Sequence, residues 1–156
     1  MRQRGYTYIG LLIFIALMGT VLAAAGVVWH TQVQREREQD LLFAGRQFAA
    51  AITLFYERTP VGQRQRLPAR LEELVDDRRW PVTTRHLRRV YLDPMTGKPE
   101  WGVVRAPDGG ILGVHSLSRE VPIKRSGFGA PYEEFSSATS YQDWRFVYVD
   151  PGKTDN

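Results

Sequence analysis

Cysteine is absent from the 156-residue chain, which excludes disulfides, thiolate nucleophiles and Cys-based zinc sites. Histidine is scarce, with only His30, His86 and His115. His115, Ser116 and Asp143 supply the residue types of a hydrolytic triad, but no nucleophile-elbow pattern or other positional constraint joins them. A lone histidine on a predicted strand is ordinarily structural, His30 closes an apolar run, and His86 lies in an arginine-rich turn. The chain is therefore read as a non-enzyme that needs no cofactor. No internal repeat or low-complexity tract is found, so repeat architectures and biased linkers are set aside as well.

Charge and proline are missing where their absence is most informative. No charged residue falls between Tyr6 and Trp29, and no proline precedes Pro60. Those 24 uncharged positions would extend roughly 36 Å as a helix, enough for a hydrocarbon core about 30 Å thick, so a membrane span over residues 6–29 is expected. Arg2 and Arg4 precede it, whereas Arg35 and Arg37 beyond it are interleaved with Glu36, Glu38 and Asp40. The bias is small but compatible with a cytoplasmic N-terminus and an exported remainder. A cleaved signal peptide is the competing interpretation, with Ala23-Ala24-Ala25 as an A-x-A site. Against it, the apolar run exceeds the usual signal-peptide length and the helical pattern continues past Trp29. Leu41, Gly45, Phe48, Ile52 and Phe55/Tyr56 recur at three to four residues and predict one apolar stripe. A single helix from about Tyr6 to Glu57, roughly 80 Å long, is expected, half of it in lipid and half, residues 30–58, laid on a domain.

The order of these features is distinctive: a basic leader, Arg4-Gly5-Tyr6, then "TYIGLLIFIALMG", then an amphipathic half. In this it resembles the type IV pilin and type II secretion pseudopilin superfamily. The resemblance implies that a prepilin peptidase removes residues 1–5, cutting after Gly5, and methylates Tyr6. It implies further that the chain is a single-pass inner-membrane protein with its globular part in the periplasm, and that its partners are other pilin or pseudopilin subunits and the inner-membrane assembly platform. Where major subunits of the family carry a membrane-embedded glutamate, this chain has Gly10, a departure that resembles the minor subunits near a filament tip. Ala16, Gly19, Ala23 and Gly26 fall three or four residues apart, so with Gly10 they are the candidate assembly positions, where small side chains let a neighbouring helix approach.

From residue 59 the composition changes. The stretch "TPVGQRQRLP" predicts a loop, Ala69 to Asp77 a short helix with Leu71, Leu74 and Val75 inward, and Thr84 to Val90 a second helical turn. Beyond the turn residues of "DPMTGKPEWG", Trp101 to Arg105 and Ile111 to Ser116 predict two strands joined through Pro107-Asp108-Gly109-Gly110, and Trp144 to Val149 a third. The fold class expected is α+β, a long N-terminal helix packed on a small antiparallel sheet, with residues 59–156 forming the globular domain.

Leu117 to Gln142 occupies the place of the family's variable loop, which in major pseudopilins holds calcium. Here Glu120, Glu133, Glu134 and Asp143 are scattered among Arg119, Lys124 and Arg125, a poor match to the convergent oxygens calcium requires, so no metal is expected. The remaining charged feature is basic: Arg78, Arg79, Arg85, Arg88 and Arg89, with Trp80 and Tyr91 nearby, in a chain of net charge +4. These are candidate anion-binding residues, and a DNA-binding minor pilin is one alternative function. The plainer interpretation is that they pair with Glu72, Glu73, Asp76 and Asp77.

Overall fold

In a computed structural model, the structure describes residues 4–148, and within that range all side chains but those of 4–7 and 23–28. Two compact units divide the chain, Met1–Glu36 and Arg37–Asn156. One helix, α1, runs over Arg4–Glu57, ending where the sequence predicts. Thr59 closes it by donating to the Tyr56 carbonyl at 2.8 Å, and Pro60, which has no amide hydrogen to give a further helical bond, follows.

Within the Met1–Glu36 unit, each large apolar side chain from Tyr8 to Leu22 is between 48% and 69% exposed, so nothing in that unit covers them. Among the described residues no helix is long and apolar enough to cross a membrane. The expected span over residues 6–29 includes residues 23–28, whose side chains lie outside those described.

The Arg37–Asn156 unit is built on the predicted stripe. Leu41, Phe48, Ile52 and Phe55 are all fully buried. They pack against an antiparallel sheet of β1 (Gly102–Arg105), β2 (Ile111–His115) and β3 (Phe146–Val147), in the order β1-β2-β3. β1 and β2 pair through Val103 and Val114, with a bulge beside Arg105, and Val114 also pairs with Phe146. Their hairpin turns on Gly109, whose φ of +83° is the left-handed conformation that glycine alone adopts without strain. Gly45 lets the helix close on β3, because a Cβ there would overlap the Phe146 ring. One turn on, Phe48 meets the Trp101 ring edge-on at 5.1 Å.

Two predicted helices differ from what forms. Ala69 to Asp77 contains only a 3₁₀ turn at Leu71–Leu74, though Leu74 is buried and Leu71 and Val75 pack against the core as expected. Thr84 to Val90 does not coil. The amides of His86 and Leu87 both donate to the Leu74 carbonyl, and the Asp77 amide to that of Thr84; with these donors bonded sideways, no helical ladder is available to them. The third strand is also shorter than the predicted Trp144 to Val149, and Val149 lies outside the described residues.

Candidate functional site

Gly5 and Tyr6 fall in the first turn of α1, but their surroundings, like those of Ala23 and Gly26, lie outside the described residues. Gly10 and Gly19 are described. A Cβ added at either would meet nothing within 4 Å. Glycine in a helix interior costs about 1 kcal/mol relative to alanine, and unlike Gly45, neither offsets that cost through a close approach among the described residues. Ala16 is exposed beside them.

The five candidate anion-binding arginines separate into two groups. Arg79 is committed to the core. Its guanidinium bonds both oxygens of Asp77, at 2.8 and 2.9 Å, donates to the Phe55 carbonyl at 2.7 Å, and lies 3.6 Å from the centroid of the Phe55 ring. It thereby caps the end of α1. His86 Nε2 reaches Asp77 at 3.0 Å. Burial pushes the Asp77 carboxyl upward, but the hydrogen bonds from Arg79 and His86, the Arg79 amide and the Arg79 charge together outweigh it and hold the pKa at about 2. Arg78, its neighbour in sequence, points outward to Asp76 at 2.9 Å. With Arg66 paired to Glu73 at 2.9 Å, these residues line a cleft of about 470 Å³ that also includes Arg70 and Glu72. Its four arginines face four carboxylates, so it offers no net charge to an anion. Arg85, Arg88 and Arg89 are exposed and form no ion pair among the described residues.

Just past Leu117 to Gln142, Asp143 is likewise used locally. Asp143 Oδ2 accepts from the amides and hydroxyls of Thr139 and Ser140; chiefly the Ser140 amide, with those other donors, holds its pKa below the usual carboxylate range. Glu133 and Glu134 open a 3₁₀ turn at Glu133–Ser137. The residue types of a triad are not assembled: Ser116 Oγ donates to Asp93 at 2.8 Å, and the His115 ring bonds the Ser116 carbonyl.

Sequence reasoning missed two buried carboxylates. Asp93, fully buried, accepts from the Met95 amide, Ser116 Oγ and the Leu117 amide, locking the start of "DPMTGK" to the end of β2. Glu38, 3% exposed, accepts through Oε1 from the Ile123 and Lys124 amides and Tyr141 Oη, fastening the long 117–142 segment to α1. The signal for Glu38 lay only in its place one turn before the Leu41 to Phe55 stripe, on the same face; its partners lie 85, 86 and 103 residues away in sequence.

Compared with family models, curated proteins and solved structures, the chain matches none.

Proposed function

We propose that the protein is a pilin-like subunit of a type II secretion or type IV pilus machine, acting by assembly into or at the tip of a periplasmic filament. The observation that carries this proposal is α1 itself. One uninterrupted helix presents uncovered apolar side chains on every face from Tyr8 to Leu22, then the buried stripe of an α+β domain, with Arg4-Gly5-Tyr6 at its start. An uncovered apolar helix requires lipid or other helices around it, and the uncharged sequence from Tyr6 to Trp29 continues through residues 23–28, whose side chains lie outside those described. In this proposal residues 6–29 lie in the inner membrane and residues 59–156 in the periplasm. The prepilin peptidase, sister subunits and the assembly platform are the partners. Gly10 and Gly19, where an added Cβ meets nothing within 4 Å among the described residues, are positions for a neighbouring helix.

The test is processing. Co-expressed with a prepilin peptidase, the chain should lose Met1 to Gly5 and begin with N-methylated Tyr6, as read by intact mass. A mature chain beginning after Ala25 would instead mean a cleaved signal peptide and a soluble periplasmic protein.

A further inference from the structure

Two turns meet at the C-terminal end of α1. In the first, the Gln63 amide donates to the Pro60 carbonyl at 3.1 Å, and Gly62, with φ of +88°, takes the position of a type II turn that needs a positive φ. Val61 is thereby left on the outer corner. In the second, the Asp77 amide bonds the Thr84 carbonyl in an isolated antiparallel bridge, so residues 78–83 project as a loop. Arg79 joins the two: its guanidinium donates to Thr59 Oγ1 at 3.4 Å, and its carbonyl accepts from Gln63 Nε2 at 3.3 Å.

The side chains that project from these turns are apolar. Val61 is fully exposed, Val82 78% and Trp80 36%, with Pro81 exposed between the last two. None of them lines the cleft of arginines and carboxylates, and turn geometry calls for Gly, Pro, Asn, Asp or Ser, not for valine or tryptophan. The charge around them is of one sign. Residues 58–66 and 78–85 carry Arg58, Arg64, Arg66, Arg78, Arg79 and Arg85 and no Asp or Glu. Glu73, Asp76 and Asp77, from the chain between the turns, pair with Arg66, Arg78 and Arg79. Arg58, Arg64, Arg70 and Arg85 are exposed and form no ion pair among the described residues, and the carboxylates of residues 57–85 left to set against them are Glu57 and Glu72. The balance at this end of the domain is positive.

We propose that these two turns seat on an anionic lipid surface, placing Val61, Trp80 and Val82 at the boundary of headgroups and acyl chains while Arg58, Arg64 and Arg85 meet lipid phosphates. Apolar side chains ringed by basic ones bind such a surface through buried apolar area and charge attraction together, and tryptophan favours the interface. Shape argues for lipid as well as charge does. A protein ligand seats its anchors in pockets, whereas these side chains stand out from turn corners. A nucleic acid would engage the arginines and stack on Trp80 but has no use for two valines. Both turns lie wholly in the Arg37–Asn156 unit, so the proposal does not depend on how the N-terminal helix is used.

The chain has no cysteine, so Val61→Cys gives a single site for an environment-sensitive fluorophore. The full chain carrying it, held in phosphatidylcholine nanodiscs, is titrated with vesicles of phosphatidylcholine alone or mixed equally with phosphatidylglycerol. The label should shift to the blue with the anionic vesicles and not with the neutral ones, and less so in high salt. An arginine near an anionic surface is worth about fivefold in binding, so Arg64→Glu should raise the lipid needed for half the shift about tenfold or more. Val82→Ser should raise it severalfold, and neither variant should change the melting temperature, because both side chains are exposed. Arg119→Glu, the same charge change at an exposed site outside both turns, should leave the titration as it was, and a label at Lys98→Cys should not shift. The proposal is overturned if no shift occurs, if neutral vesicles give the same shift, if the Lys98→Cys label shifts equally, or if Arg119→Glu acts as strongly as Arg64→Glu. A shift that needs no vesicles and grows with protein concentration would point to a second copy of the chain, and one produced by soluble polyglutamate to an acidic protein. Tighter binding to short duplex DNA than to the vesicles would point to nucleic acid. Each of these results would also overturn it.

Discussion

Asp77 and Glu38 resolve the same difficulty, a carboxylate out of water, in opposite ways. Asp77 is 1% exposed and pairs with Arg79, itself 7% exposed; Glu38 relies on two amides and a phenol. Removing one partner of a buried pair leaves an uncompensated charge, and Arg79→Ala is expected to cost about 3–5 kcal/mol in denaturant unfolding. Arg78→Ala, whose side chain is 88% exposed, should cost under about 1 kcal/mol. The same pair makes a pH prediction. Because the folded pKa of Asp77 is depressed from 3.8 to about 2, its contribution is present above pH 3.8 and is lost as pH falls through 2. That amounts to about 2 kcal/mol. Measured between those limits, the stability of Asp77→Asn should fall less steeply with acid than that of the unaltered chain; parallel curves would show that Asp77 does not carry the effect. Glu38→Gln turns an acceptor into a group that is also a donor, facing two amides. It should raise hydrogen exchange at Ile123 and Lys124 and cost about 2 kcal/mol. That Arg78 and Arg79 would part company was not legible in the sequence: adjacent residues in an irregular segment have no period from which to read a face, and the His86 partner is nine positions from Asp77.

At the scale of elements, legibility follows the range of the forces involved. α1 could be read to its last residue because its stripe repeats every turn and Pro60 stops it locally. The hairpin could be read because Gly109 marks it. The Thr84 to Val90 segment could not, since the Leu74 carbonyl that draws its amides belongs to another part of the chain. The 117–142 segment was read as a loop, yet it contributes Phe128 and Phe135 to an aromatic cluster in which Phe135 stacks on Trp144 at 5.4 Å and 5°. These contacts come from tertiary packing and leave no local pattern. Glycines in α1 give an element-scale prediction. Gly45→Ala gains helix propensity of about 1 kcal/mol but drives a methyl into Phe146, and overpacking costs about 1–3 kcal/mol. The net effect should be destabilising, and partly relieved in Gly45→Ala/Phe146→Leu. Gly10→Ala and Gly19→Ala, with open space around the added methyl among the described residues, should leave the Arg37–Asn156 unit's melting temperature unchanged. A loss there equal to that of Gly45→Ala would mean that these glycines pack within the chain after all.

For the whole molecule, if it is the filament subunit proposed above, what distinguishes recruitment by charge from recruitment by shape is the pair Gly10 and Gly19. If the carboxylate implied by the family resemblance draws a neighbour's N-terminal amine, the attraction at 4 Å is about 4 kcal/mol at an effective dielectric of 20, before desolvation is subtracted. A subunit with glycine in that place forgoes this term. It should enter filaments rarely and form no long fibres alone. Overproduction with the assembly machinery, then shearing and electron microscopy, checks this, and abundant fibres of the unaltered chain alone would sink the idea. Gly10→Glu is an informative gain-of-function test because a Cβ at Gly10 meets nothing within 4 Å among the described residues. The expected result is increased incorporation of Gly10→Glu. Gly19→Leu supplies the opposing arm: its site is equally open within the chain, yet leucine would hold a second helix away from a face that also carries Ala16. If Gly10→Glu has no effect while Gly19→Leu abolishes incorporation, helix packing governs recruitment and Gly10 is there for close approach. If both act in the directions given, the missing charge sets how often the subunit is taken up, and the small-residue face sets whether it fits once taken.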